Sequence, residues 1–150
     1  LRAEGVTFNV VGTLDAKVPA TVGNYLADGV AVAQTGAGVV TVKGVFTPKT
    51  DGFANTLLVS GSTLDLRGRD TVLDLTATAK SLSFAAGASV GVILDAQTPR
   101  DHGKLVGWDE ATAPSVDVTF SLAPGSLSMG RLQRREDGLY WKTGMILFIR

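Results

Sequence analysis

The chain has 150 residues, 45% of them hydrophobic and 19% charged, and its 14 Lys and Arg balance its 14 Asp and Glu. Such a composition excludes intrinsic disorder and argues against a nucleic-acid or anionic-lipid binder, which would be basic. No cysteine and a single histidine, His102, exclude disulfides, thiolate nucleophiles, Cys-ligated zinc and any two-imidazole site. No apolar run is long enough for a membrane-spanning helix.

The residue types lean toward strands. Val (18), Thr (16) and Ile (3) are numerous, and these β-branched side chains lose freedom in helices but pack well on pleated surfaces. Eleven Asp stand against three Glu, and Asp serves turns where Glu serves helices. The expected class is all-β, with little or no helix.

In chain order, Val6, Phe8 and Val10 alternate with Thr7 and Asn9, as in a half-buried strand. Weaker strands are expected around Leu14, at 18–22 and at 30–32, then another at 39–46, closed by the turn chemistry of Thr47-Pro48-Lys49-Thr50-Asp51-Gly52. The middle is the most regular part. Leu64-x-Leu66, Leu73-x-Leu75, Leu82-x-Phe84 and Val90-x-Val92 start nine, nine and eight residues apart. Short strands at that spacing predict either an antiparallel meander or successive rungs of a β-solenoid, with all eight apolar residues in one core. Residues 69–86 lack Gly and Pro, but Leu73, Leu75, Ala77 and Ala79 repeat every two residues, which favours strand over helix.

Residues 95–114 are polar and turn-rich, with Leu105-Val106 as the one obvious apolar pair, and predict a long loop or a crossing between layers. Val116, Val118, Phe120 and Leu122 alternate best of all, and Leu127-x-Met129 is expected to pair with them through the Ala123-Pro124-Gly125 turn. A hairpin is expected over 132–141, around Asp137-Gly138. Met145, Ile146, Leu147, Phe148 and Ile149 form a strand apolar on both faces. Such a strand needs cover on both faces and predicts an assembly strand or interface.

The nine-residue spacing, the Thr/Val/Gly/Ala/Ser richness and the lack of Cys resemble passenger regions of large bacterial surface proteins, including the autotransporter-associated β-strand repeats. The tail Leu132-Gln-Arg-Arg-Glu-Asp-Gly-Leu-Tyr-Trp141 resembles the hairpin that closes such regions. The resemblance covers roughly residues 55–141 and is compositional. It departs from the pattern in lacking a strict glycine repeat. It implies a right-handed β-solenoid, export, and a role in display or adhesion rather than catalysis. It also implies that this single all-β domain, residues 1–150, is part of a longer exported chain, since Leu1 follows no initiator Met or signal peptide.

Several clusters could carry chemistry. Asp65, Arg67, Arg69, Asp70 and Asp74 could recreate the carboxylate and arginine set of a β-helical polysaccharide lyase, although a solvated, self-compensating face is the commoner use of such charges. His102 beside Asp101 lacks the Gly-x-Ser-x-Gly elbow that would supply a nucleophile. Trp108, Tyr140 and Trp141 are the residues best suited to stacking on sugar rings, if exposed. Arg131, Arg134 and Arg135 are answered at once by Glu136 and Asp137 and read as a hairpin tip. No ligand order for calcium or zinc is present, so no metal or cofactor is expected.

The reading is an all-β domain, a β-solenoid or an elongated antiparallel β-sandwich. It is expected to serve as a structural or adhesive, self-assembling module at the cell surface or outside the cell. Its expected partners are itself, neighbouring modules or glycans, and not nucleic acid. The competing classes are a carbohydrate-binding module, a β-helical lyase or hydrolase, and a subunit of an extracellular filament.

Overall fold

The computed structural model describes residues 2–10, 17–29, 38–76 and 82–143. Among them are thirteen strands and no helix. They are β1 (Arg2–Val10), β2 (Ala20–Ala27), β3 (Val40–Val42), β4 (Val45–Pro48), β5 (Thr56–Leu58), β6 (Thr63–Asp65) and β7 (Leu73–Asp74). There follow β8 (Leu82–Phe84), β9 (Ser89–Ile93), β10 (Lys104–Gly107), β11 (Thr119–Leu122), β12 (Gly130–Arg135) and β13 (Gly138–Thr143).

Nine strands form one sheet that forks at β2. On one side β2 pairs with β1; on the other its first half pairs with β3 and its second half with β4. One arm continues β3–β5–β8 and the other β4–β6–β9–β11. Every pair in this sheet is parallel. The antiparallel meander and sandwich expected as alternatives are therefore not how these strands associate. A second sheet has the order β12–β13–β10–β7, in which β7 and β10 are parallel and the β12–β13 hairpin is antiparallel. One sheet curls into a half-barrel.

The pairing gives the nine-residue spacing its physical meaning. Leu64 pairs not with the next apolar pair in sequence but with Val92, while Leu73 pairs with Val106 and Leu82 with Thr56. Consecutive Leu-x-Leu pairs are thus not hydrogen-bonded neighbours of one another. Their side chains converge as expected: Leu64, Leu66, Leu73, Leu75, Leu82, Val90 and Val92 are buried in one cluster, with Phe84 packed against it. The cluster includes a trio in which Phe46, fully buried, lies 5.3 Å from the Tyr25 ring and 5.2 Å from that of Phe53. The Tyr25 hydroxyl accepts a hydrogen bond from the Ala54 amide at 3.1 Å, so a phenol is tolerated in an apolar core.

The fork depends on local chemistry between β3 and β4. The Gly44 amide donates to Gly23 O at 2.6 Å, and a Cβ on Gly44 would fall 2.7 Å from that oxygen. Asn24 fills the gap: its Oδ1 accepts from the Val45 amide at 2.7 Å and its Nδ2 donates to Thr7 Oγ1 at 3.2 Å. One side chain thereby ties three successive segments together.

The C-terminal part departs further from expectation. Leu105-Val106 belongs to strand β10 rather than to a loop, and both residues are buried. Val116 lies in a turn and is 97% exposed, so the alternating strand begins only at Thr119. Leu127 does not pair with β11; its amide donates to Leu94 O at 2.8 Å, just past the end of β9, and Met129 is exposed. The hairpin is present, but its loop is Glu136-Asp137, with Gly138 already paired to Arg135. The strands expected around Leu14 and at 30–32, and the assembly strand Met145, Ile146, Leu147, Phe148 and Ile149, lie outside the described residues.

Candidate functional site

The charge cluster of 65–74 does not converge. Asp65 binds Arg67 through Nε and Nη2 at 3.0 Å each and accepts the Arg67 amide at 3.1 Å, which closes its own turn. Arg69 is buried and points elsewhere, donating to Asp51 at 2.6 Å, to Pro48 O at 2.5 Å and to Thr71 O at 3.1 Å. Asp70 is exposed, and Asp74 accepts from the Thr76 amide and hydroxyl at 3.0 and 2.6 Å. These are ways of ending strands and holding turns.

The residues expected to stack on sugars are also withdrawn from water. Trp108 is 3% exposed, and its ring lies 6.1 Å from that of Phe120, which in turn meets Phe84 edge-on. Tyr140 and Trp141 are buried in β13, and the Arg135 guanidinium covers the Tyr140 ring at 4.0 Å. None of the three offers an open ring face at the surface. His102 does stand in water, with its Nδ1 2.8 Å from Asp101 Oδ1 and its backbone at a φ of 51°. That pair has the hydrogen bond of a base and its orienter but sits on an exposed turn.

A cleft of about 380 Å³ lies beside β7 and β10, lined by Asp74, Thr76, Asp101, Lys104, Trp108 and Asp137 among others. Lys104 Nζ binds Asp137 Oδ2 at 3.0 Å, and the Tyr140 hydroxyl donates to Asp137 at 2.9 Å. These two contacts, the lysine's first, hold the Asp137 carboxyl below its ordinary value of 3.8. The bond to Asp137 is likewise the main reason that Lys104 is raised above 10.5. A general acid at neutral pH would need a carboxyl shifted upward; this one moves the other way. Among the described residues no group of three His, Asp or Glu is placed to hold a metal ion. What the cleft can offer is hydrogen bonding to a polar solute.

The shifted pair predicts an acid-sensitive hairpin. A depressed carboxyl contributes stability above its unfolded value and loses it as pH falls through the lower folded value. The lysine's share is present below 10.5 and lost only above its raised value. The melting temperature should therefore fall as pH drops below about 4, and Asp137→Asn should flatten that fall. Both groups are solvated, so the difference should be small; melts from pH 6 down to about 2 would measure it.

Arg134 is the residue that sequence reasoning missed. It shares a β12 face with Leu132, two residues earlier, and the two line a small cavity together with Val118, Thr119 and Phe120 at the end of the larger sheet. Its guanidinium donates to Ser115 O and Val118 O at 2.8 Å each and also to Pro114 O. It lies 5.7 Å from the Trp108 ring. One fork of donors thus satisfies three carbonyls that no neighbouring strand takes. The signal was the period-two spacing from Leu132, which an apparently charged hairpin tip obscured.

Comparison with protein-family models, curated proteins and solved structures finds no match to this chain. Among the described residues no helix is long and apolar enough to cross a membrane.

Proposed function

We propose that the chain is a three-sided parallel β-solenoid module closed at one end by the β12–β13 hairpin, and that it acts as a structural element of an exported surface protein. The observation that carries this is the in-register parallel stacking of successive segments, from β1 through β2, β4, β6 and β9 to β11. Such stacking makes each added circuit a length of rigid spacer whose stability comes from its neighbours. The fate of the polar side chains also supports it. Arg69, Arg134, Asp65 and Asp74 all hold turns or strand ends, which is structural work. The resemblance to passenger regions supplies the setting, at the cell surface or outside the cell, with like modules as neighbours.

The test is protease treatment of intact producing cells. Surface display predicts loss of the protein from intact cells while a cytoplasmic marker survives. Full protection until lysis would overturn the reading. A second reading, a carbohydrate-binding module, is favoured by the cleft beside Asp74 and Lys104. It requires saturable binding to some member of a glycan panel, abolished by Asp74→Ala.

A further inference from the structure

The register of the β12–β13 hairpin sorts its side chains onto two faces. Leu132 and Arg134 stand opposite Trp141 and Leu139, and both of those partners belong to the core. The alternate residues point the other way: Arg131 opposite Lys142, Gln133 opposite Tyr140, and Arg135 at the end of β12. Lys104 joins them from β10, where it is the register partner of Tyr140. With about 4.8 Å between strands and about 3.4 Å per residue, the face measures roughly 10 by 14 Å.

No acid of the chain answers its charge. Arg131, Arg135 and Lys142 are exposed, and among the described residues none of them meets a carboxylate. Asp137, at the edge, is already held by Lys104 Nζ at 3.0 Å and the Tyr140 hydroxyl at 2.9 Å. Arg131 directly across from Lys142 is a like-charge pair, an arrangement that weakens a hairpin. The chain has as many acids as bases, so the clustering is local and not a basic composition showing through. Arg135 is also held in place. Its guanidinium lies 4.0 Å from the Tyr140 ring, and its Nε and Nη2 donate to Gln133 Oε1 at 3.2 and 3.1 Å. A guanidinium ordered in advance loses little freedom when a ligand arrives.

We infer that this face binds an acidic polysaccharide through its sulfate or carboxylate groups. An extended polyanion complements a flat sheet bearing the unanswered charges of Arg131, Arg135 and Lys142. Single-stranded nucleic acid suits it less, because Arg135 covers the Tyr140 ring and leaves no open aromatic face for a base. The choice of polysaccharide rests on the exported-surface reading; the charged face does not.

The chain should bind immobilised heparin and alginate, and not neutral dextran. Affinity should fall tenfold or more between about 50 and about 200 mM salt, as three contacts release counterions. The double variant Arg131→Gln, Lys142→Gln should bind roughly tenfold more weakly, with unchanged circular dichroism and an equal or higher melting temperature. Lys49→Gln with Arg100→Gln, which removes two exposed charges elsewhere, should change affinity little. Asp74→Ala should also keep the binding, which separates this face from the cleft. The inference is overturned by no binding to heparin or alginate, by equal losses in the two double variants, or by loss in Asp74→Ala. Tighter binding to duplex DNA or to phosphatidylserine vesicles overturns it as well. None of these results alters the surface-protease outcome, so the two readings fail separately.

Discussion

Phe46→Ala is expected to remove about 3–5 kcal/mol of unfolding free energy, the range for truncating a large buried aromatic. Phe46 has no exposed surface and sits between the Tyr25 and Phe53 rings, so its loss leaves a cavity bounded on both sides by rings that cannot collapse without moving their strands. Its backbone pairs with Tyr25 on one side and Leu64 on the other, which locks those strands in register. Tyr25 is further pinned by the Ala54 amide, and following the ring inward would break that bond. Phe46→Leu should recover much of the loss, because it refills most of the volume. Urea unfolding of the three proteins checks this; a cost below about 1 kcal/mol for alanine would mean that the trio is not the packed centre described.

Arg134→Ala should cost about 2–4 kcal/mol, most of it from the Pro114 and Val118 carbonyls losing their guanidinium donor in partly dry surroundings, since Ser115 O keeps the Val118 amide. The substitution also uncovers the Trp108 ring, and that contribution can be separated. Arg134→Met keeps the aliphatic cover and loses the hydrogen bonds, while Arg134→Lys keeps the charge but cannot span Pro114, Ser115 and Val118 together. Both should therefore fall near the alanine variant. If Arg134→Met were as stable as the native chain, the guanidinium would be packing material and the capping account would fail. Loss of the cap should also raise Trp108 solvent exposure, readable as a red shift in fluorescence.

Much of this was legible in the residues. Period two at Leu64, Leu66, Leu73, Leu75, Leu82, Val90 and Val92 announced strands with a shared core, because a strand can bury such a pattern on one face only. The pattern could not say which strand lies beside which. Parallel partners such as Leu64 and Val92 are far apart in sequence, and no local signal links them. The alternation over Val116, Val118, Phe120 and Leu122 misled because Val116 sits on a turn, where propensity yields to the need to reverse the chain. Polar sequence neighbours make Trp108 a candidate for an exposed ring; the ring in fact packs beside Phe120 and Arg134, both distant in sequence. The cleft escaped for the same reason, since Asp74, Lys104 and Asp137 meet only through β7, β10 and β13.

The parallel, in-register stack is the claim on which everything else rests, and a cysteine-free chain makes it directly measurable. Ser89 and Thr119 are register partners on β9 and β11, both exposed, with hydroxyl oxygens 3.3 Å apart. In the double variant Ser89→Cys, Thr119→Cys, mild oxidation should give a near-quantitative intramolecular disulfide, because register partners fall within the Cα separation a disulfide spans, about 4.4–6.8 Å. The control pair Ser89→Cys, Ser121→Cys should stay reduced, since parallel register places Ser121 beside Gly91 instead. Rapid bridging of the control pair together with failure of the first would mean that β9 and β11 do not run parallel in this register, and the stacked architecture would be wrong.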